Sequence, residues 1–151
     1  MPLKRTIEKA RRDKHEGKSA STQAGEFVRD EIDKIRHGEH GARSAKQAIA
    51  IGLSEARRAG VDLPPPQRGQ TSERTRKSAE YAYEAGQGQR KPKRRPRVSR
   101  AVTKALKREP RNTVSPKALS QQARSAASSR TAAQRSVAAE KAALTRARRK
   151  S

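Results

Sequence analysis

The side chains with the densest chemistry lie between Lys91 and Arg111. They are Lys91, Lys93, Arg94, Arg95, Arg97, Arg100, Lys104, Lys107, Arg108 and Arg111. Ammonium and guanidinium groups at this density neutralise the phosphates of a polyanion and release its condensed counterions. A second cationic set, Arg43, Lys46, Arg57 and Arg58, brackets a predicted helix. Other chemistries lack residues. There is no cysteine, so disulfides, thiolate catalysis and Cys-ligated zinc are excluded. His37, Glu39 and His40 in HGEHG have donor character. They lie in a Gly-rich turn with no third strong nitrogen or sulfur ligand nearby, so they read as a solvated turn, not a metal site. The three histidines all fall in polar stretches. With no nucleophile–His–acid grouping and no Gly-rich phosphate loop, neither enzymatic activity nor a cofactor is expected.

Gln87 to Arg97 has no apolar residue and two prolines, which predicts an extended, solvated stretch, and within it lies Lys91-Pro92-Lys93-Arg94-Arg95-Pro96-Arg97. It is similar to an AT-hook, which enters a narrow A·T minor groove. It departs at the glycine of the hook's Gly-Arg-Pro core, where this chain has Arg94 before Arg95-Pro96. A side chain there prevents the closest approach to the groove floor, so the favoured reading is a phosphate-binding linker without base readout. The same residues fit a nuclear localisation signal, but nothing else points to a nucleus. Ser115-Pro116-Lys117-Ala118 is similar to the Ser-Pro-Lys-Lys units of eukaryotic linker-histone tails, but it lacks the second base and occurs once.

These cations sit on an uneven chain. Among 151 residues, 38 are Lys or Arg and 15 are Asp or Glu, for a net charge of +23. Residues 1–86 carry net +5 and residues 87–151 net +18. Leu, Ile, Val and Phe make up only 12% of the chain, below the roughly 20% at which a highly charged chain folds throughout. Eleven of these 18 residues lie in the first 66 and seven in the last 65. The expected organisation is an all-α module at 1–66, a connecting helix at 67–86, and a largely disordered, partly helical polybasic tail at 87–151.

In the module, helices are expected at 3–16, at 22–37 with Ser21 as N-cap, and at 45–59. The third is the best signposted. Ser44 and Gln47 form a capping box, Gly60 supplies a left-handed stop, and Pro64-Pro65-Pro66 forbids continuation. Ala45, Ala48, Ile49, Gly52, Leu53, Ala56 and Ala59 fall on one side. Arg43, Lys46, Gln47, Ala50, Ser54, Arg57 and Arg58 fall on the other. Gly52 has two readings of equal weight: a close backbone approach, or a tolerated helix glycine costing roughly 1 kcal/mol. About ten large side chains make a thin core, and small scaffolds often need a staple. Without cysteine, the candidate staple is a homodimer through the second and third helices. A fourth helix is expected at 72–85, with Tyr81 and Tyr83 as packing rings in preference to base-stacking platforms.

In the tail, Ser99 is expected to cap 100–109, Ser115-Pro116 to start 116–128, and Thr131 with Gln134 to cap 132–149. These pieces are alanine-rich and read as lacking a continuous apolar stripe, so they are expected to fray and repel one another without phosphates.

STQAGEFVRDEI at 21–32 and ARSAKQAIAIGLSEARRAG at 42–60 resemble an uncharacterised family of small basic bacterial proteins. Members share STQAGEFVR, HGARS, KQAIAIGLS and ARRAG, then a Pro run and a basic tail. The resemblance covers about the first 85 residues and implies a bacterial cytoplasmic setting. It implies no activity. The longest apolar stretch, AIAIGL, is far short of the ~20 residues needed to span a bilayer, and no apolar leader is seen, so neither membrane insertion nor export is expected.

The function expected from these residues is histone-like nucleic-acid binding in the nucleoid. Phosphate neutralisation would dominate, with little sequence preference and no small-molecule substrate. DNA is favoured over RNA as partner. A helix-turn-helix regulator is disfavoured, because HGEHGAR (37–43) exceeds the usual three- or four-residue turn. The alternatives are an RNA- or ribosome-associated protein, and an adaptor whose AIAIGL face docks a partner protein.

Overall fold

The computed structural model describes residues 2–150 and contains seven α-helices: α1 Lys4–His15, α2 Ala20–Arg36, α3 Ala45–Arg58, α4 Glu73–Gly86, α5 Pro96–Arg108, α6 Pro116–Ser128 and α7 Ala132–Lys150. A single 3-10 turn, Asn112–Val114, follows α5. The described chain divides into two compact units, one ending at Val114 and the other beginning at Ser115. The expectation of a largely disordered tail is overturned: α5, α6 and α7 fill most of residues 96–150. Local chemistry accounts for this. Pro96 and Pro116 each occupy a first helical turn, where a missing N–H costs nothing. Ser115 Oγ accepts the Ala118 N–H at 3.2 Å. Thr131 and Gln134 cap each other reciprocally, at 3.2 and 3.0 Å. Alanine and arginine then propagate helix with little need for a core.

Caps also set the first unit's helices. Ser19, two residues before the expected Ser21, accepts from the Thr22 N–H and starts α2. Ser44 accepts from the Gln47 N–H at 3.1 Å, while the Gln47 carboxamide accepts the Arg43 N–H at 2.6 Å. Gly60 has φ +92°. It lets Val61 N–H reach the Ala56 carbonyl and Gly60 N–H the Arg57 carbonyl, both at 3.1 Å. This is the Schellman pattern, with Val61 folded inward as its apolar contact.

Two apolar clusters form the core. Phe27, Ala10, Ala24, Ala56 and Val61 make the first, flanked by Ile7, Leu53 and Leu63. Ile35, Ala42, Ala48 and Val114 make the second, with Ile32 beside them. Val114 was expected in a coreless tail, yet it is fully buried. The Arg36 guanidinium donates to its carbonyl at 3.0 Å, and Thr113 Oγ1 donates to the Ala42 carbonyl at 2.9 Å. Gly52 is the close-approach glycine. A methyl group there would come 2.6 Å from Val28 Cα, so α2 and α3 meet backbone to backbone.

Candidate nucleic-acid interface

Thirteen residues of α5 carry the most sharply divided face in the molecule. At about 100° per residue, Arg97, Arg100, Lys104, Lys107 and Arg108 fall within an arc of about 100°. Val98, Val102 and Leu106 run along the opposite side. The continuous apolar stripe expected to be missing from the basic tail is therefore present on α5. The helix starts at Pro96, three residues before the expected Ser99 cap, and this places Arg97 in its first turn. At the other end, the Leu106 carbonyl accepts the Gly41 N–H at 2.9 Å and the Pro110 carbonyl accepts the Ala42 N–H at 3.0 Å. These bonds fasten the C-terminal end of α5 to the α2–α3 connection.

Lys91, Lys93, Arg94 and Arg95 lie on the exposed stretch leading into α5. Its path is fixed by Tyr81, whose hydroxyl accepts the Lys93 N–H at 3.0 Å. The Arg90 guanidinium sits over the Tyr81 ring, 5.2 Å from its centre, and donates to Glu84 at 2.7 Å. Tyr83 donates to Asp62 at 2.7 Å. Both tyrosines thus serve internal contacts. Arg111 is exposed, and its guanidinium lies against Gly38.

The second expected set is split. Arg43, Lys46 and Arg58 are exposed around α3. Arg57 is 8% exposed and turned inward. Its guanidinium donates to the Leu63 carbonyl at 3.1 Å and the Pro64 carbonyl at 3.3 Å, holding the start of the proline run. Burial lowers its pKa from the ordinary arginine value. Helical spacing alone puts Arg57 beside Arg58 on the outer face, but the chain beyond Gly60 doubles back over that edge. The AIAIGL face is also taken up internally, with Ala48 and Gly52 buried and α2 packed against it.

Burial separates two kinds of cation. Every Lys and Arg from Arg90 to Lys150 is exposed. That includes Lys117, Arg124, Arg130 and Arg135, which add to the tail charge outside the expected contact set. The acids of this stretch are Glu109 and Glu140 alone. Lys34, by contrast, is buried among carboxylates: Asp30 at 3.2 Å, Glu55 at 3.6 Å and Glu31 at 3.9 Å. Burial alone would pull its pKa down, but these acids together hold it above the ordinary lysine value. Burial pushes the Glu31 carboxyl up, against the opposing effect of His40. His40 Nε2 lies 3.2 Å from Glu31, so His40 is turned inward from what was expected to be a solvated turn. An open pocket of about 500 Å³ borders this cluster. Among the described residues no group of His, Cys, Asp and Glu is placed to hold a metal ion, and no helix is long and apolar enough to cross a membrane.

The stretch of α1 to α3, ending in the proline run that Arg57 holds, is also where likeness to other proteins lies. Residues 3–67 match a family of unknown function, DUF6496. The DUF6496 match stops at the end of the proline run, so α4 to α7, with most of the exposed cations, lie beyond it. No curated protein and no solved structure matches the chain.

Proposed function

We propose that this protein binds nucleic acid without catalysis, in a histone-like manner, with duplex DNA of the nucleoid as its partner. The reading rests on one observation: the 20 Lys and Arg after residue 86 are all exposed, on a stretch that itself holds only two acids. A surface of this kind repels itself unless a polyanion is present. Phosphates satisfy it by charge, whatever the base sequence. The helices give the cations defined positions but offer few side chains at a spacing suited to base edges. Exposed Arg43, Lys46 and Arg58 extend the same surface chemistry to the surroundings of α3.

The test is competition binding of the full chain to labelled duplexes of unrelated sequence, with RNA duplex as a further competitor. Affinities within about threefold across DNA sequences are expected, since phosphate contacts carry no sequence information. A variant with Arg97, Arg100, Lys104, Lys107 and Arg108 all changed to Gln should bind at least about tenfold more weakly at low salt, through lost counterion release. Strong preference for one sequence, or undiminished binding by that variant, would overturn the reading.

A further inference from the structure

The cationic stretch of residues 93–110 is held at its two ends. No residue of α5 is buried, so packing along its length contributes little. At the start, the Gln89 N–H bonds the Glu84 carbonyl at 2.9 Å, and Arg90 is stacked on Tyr81 and paired with Glu84. These contacts turn the chain back along α4, where the Tyr81 hydroxyl accepts the Lys93 N–H at 3.0 Å. At the other end, the N–H groups of Gly41 and Ala42 bond the Leu106 and Pro110 carbonyls, and Thr113 Oγ1 donates to the Ala42 carbonyl. Gly41 makes this seat possible, because a methyl group there would collide with the Glu109 carbonyl.

Seven cations lie between the anchors: Arg94, Arg95, Arg97, Arg100, Lys104, Lys107 and Arg108. The anchors are a phenol and backbone amides, so they consume none of the seven.

A surface fixed in advance favours a partner whose charges are also fixed. A duplex presents its phosphates regularly, about one charge per 1.7 Å, and a preformed set of cations meets them with little ordering cost. A single strand must itself be ordered, and it is held largely by bases stacked on aromatic rings. This chain has three aromatic residues, and all are engaged internally. Phe27 is buried, Tyr81 carries Arg90 and Tyr83 donates to Asp62. We propose that Tyr81 and Gly41 are positioning residues that hold residues 93–110 as a preformed surface, and that this surface selects double-stranded over single-stranded DNA. The inference rests on the nucleic-acid reading above and adds the class of strand and the groups that set it.

The test uses the full chain and two substitutions that leave its charge unchanged. Tyr81→Phe removes the hydroxyl and keeps the ring under Arg90. Gly41→Ala unseats the end of α5. Each protein is titrated against a DNA duplex and against an unstructured single strand of the same length, over a series of salt concentrations. The native chain should favour the duplex. Each variant should lose about three- to tenfold in duplex affinity, because the loosened segment must now be ordered on binding, and less than about twofold in single-strand affinity. The duplex salt slope should stay as it is, since the same phosphates are neutralised. Equal losses on both strand forms would mark a general folding defect. No duplex loss in a folded variant would mean that charge alone binds, and a shallower slope that cations were removed from the contact. Each of these overturns the proposal, as does native affinity for the single strand equal to or above that for the duplex. If Gly41→Ala no longer melts cooperatively, Tyr81→Phe decides alone. If the native chain binds neither form, the nucleic-acid reading itself falls.

Discussion

Adjacent arginines at the end of α3 have opposite roles. Arg57 is buried on the carbonyls of Leu63 and Pro64, and Arg58 is exposed. Arg57→Ala loses charged hydrogen bonds to the Leu63 and Pro64 carbonyls, so it should cost about 1.5–3 kcal/mol of stability. Arg58→Ala should stay within about 0.5 kcal/mol and act only on binding. Urea melts of the two variants beside duplex titrations check this. Lys34 is a second buried cation. Lys34→Met leaves Asp30, Glu31 and Glu55 without their central charge and should cost about 3–5 kcal/mol. Glu31 sets a pH dependence of known sign. Its folded-state pKa lies above the ordinary 4.5. The folded chain therefore keeps a proton that the unfolded chain has released, and stability falls as pH rises through that window. Glu31→Gln does not titrate. Its stability relative to the native chain should improve as pH rises from about 4.5, then level off above the folded-state value. Paired melts across pH measure the difference.

At the scale of elements, the α2–α3 crossing depends on Gly52. Its missing side chain lets the two backbones touch at Val28. Gly52→Ala gains helix propensity but overpacks the crossing, for a net loss of about 1–3 kcal/mol, readable as a lowered melting temperature. Much of this level was legible in the sequence, because caps and stops are local. Ser44, Ser115 and Thr131 start helices where side-chain chemistry says they should. Ser21 lost to Ser19 since both offer the same hydroxyl in one serine-rich stretch. The tail is helical, against the expectation from composition, for a physical reason. Counting large apolar residues measures the capacity to bury a core, and α6 and α7 need almost none, since Ala and Arg form helix by propensity. Val114 and the inward turn of Arg57 and His40 were invisible because they depend on contacts distant in sequence, or on the path of the chain beyond a helix end. The candidate cationic residues could be named from type alone; which of them face solvent could not.

For the whole molecule, charge sets the behaviour. A chain ending at Val114 keeps α5 but loses the nine bases from Lys117 to Lys150. It should still bind duplex, with a shallower salt dependence, because fewer phosphates are neutralised. The measurement that bears most directly on the central claim is the affinity of the full chain for duplex DNA against salt concentration, followed by fluorescence anisotropy. If about 8–10 phosphates are neutralised, log K falls against log salt with a slope of roughly −7 to −9. A slope near zero, or tight binding that persists at high salt, would contradict phosphate neutralisation as the basis of binding.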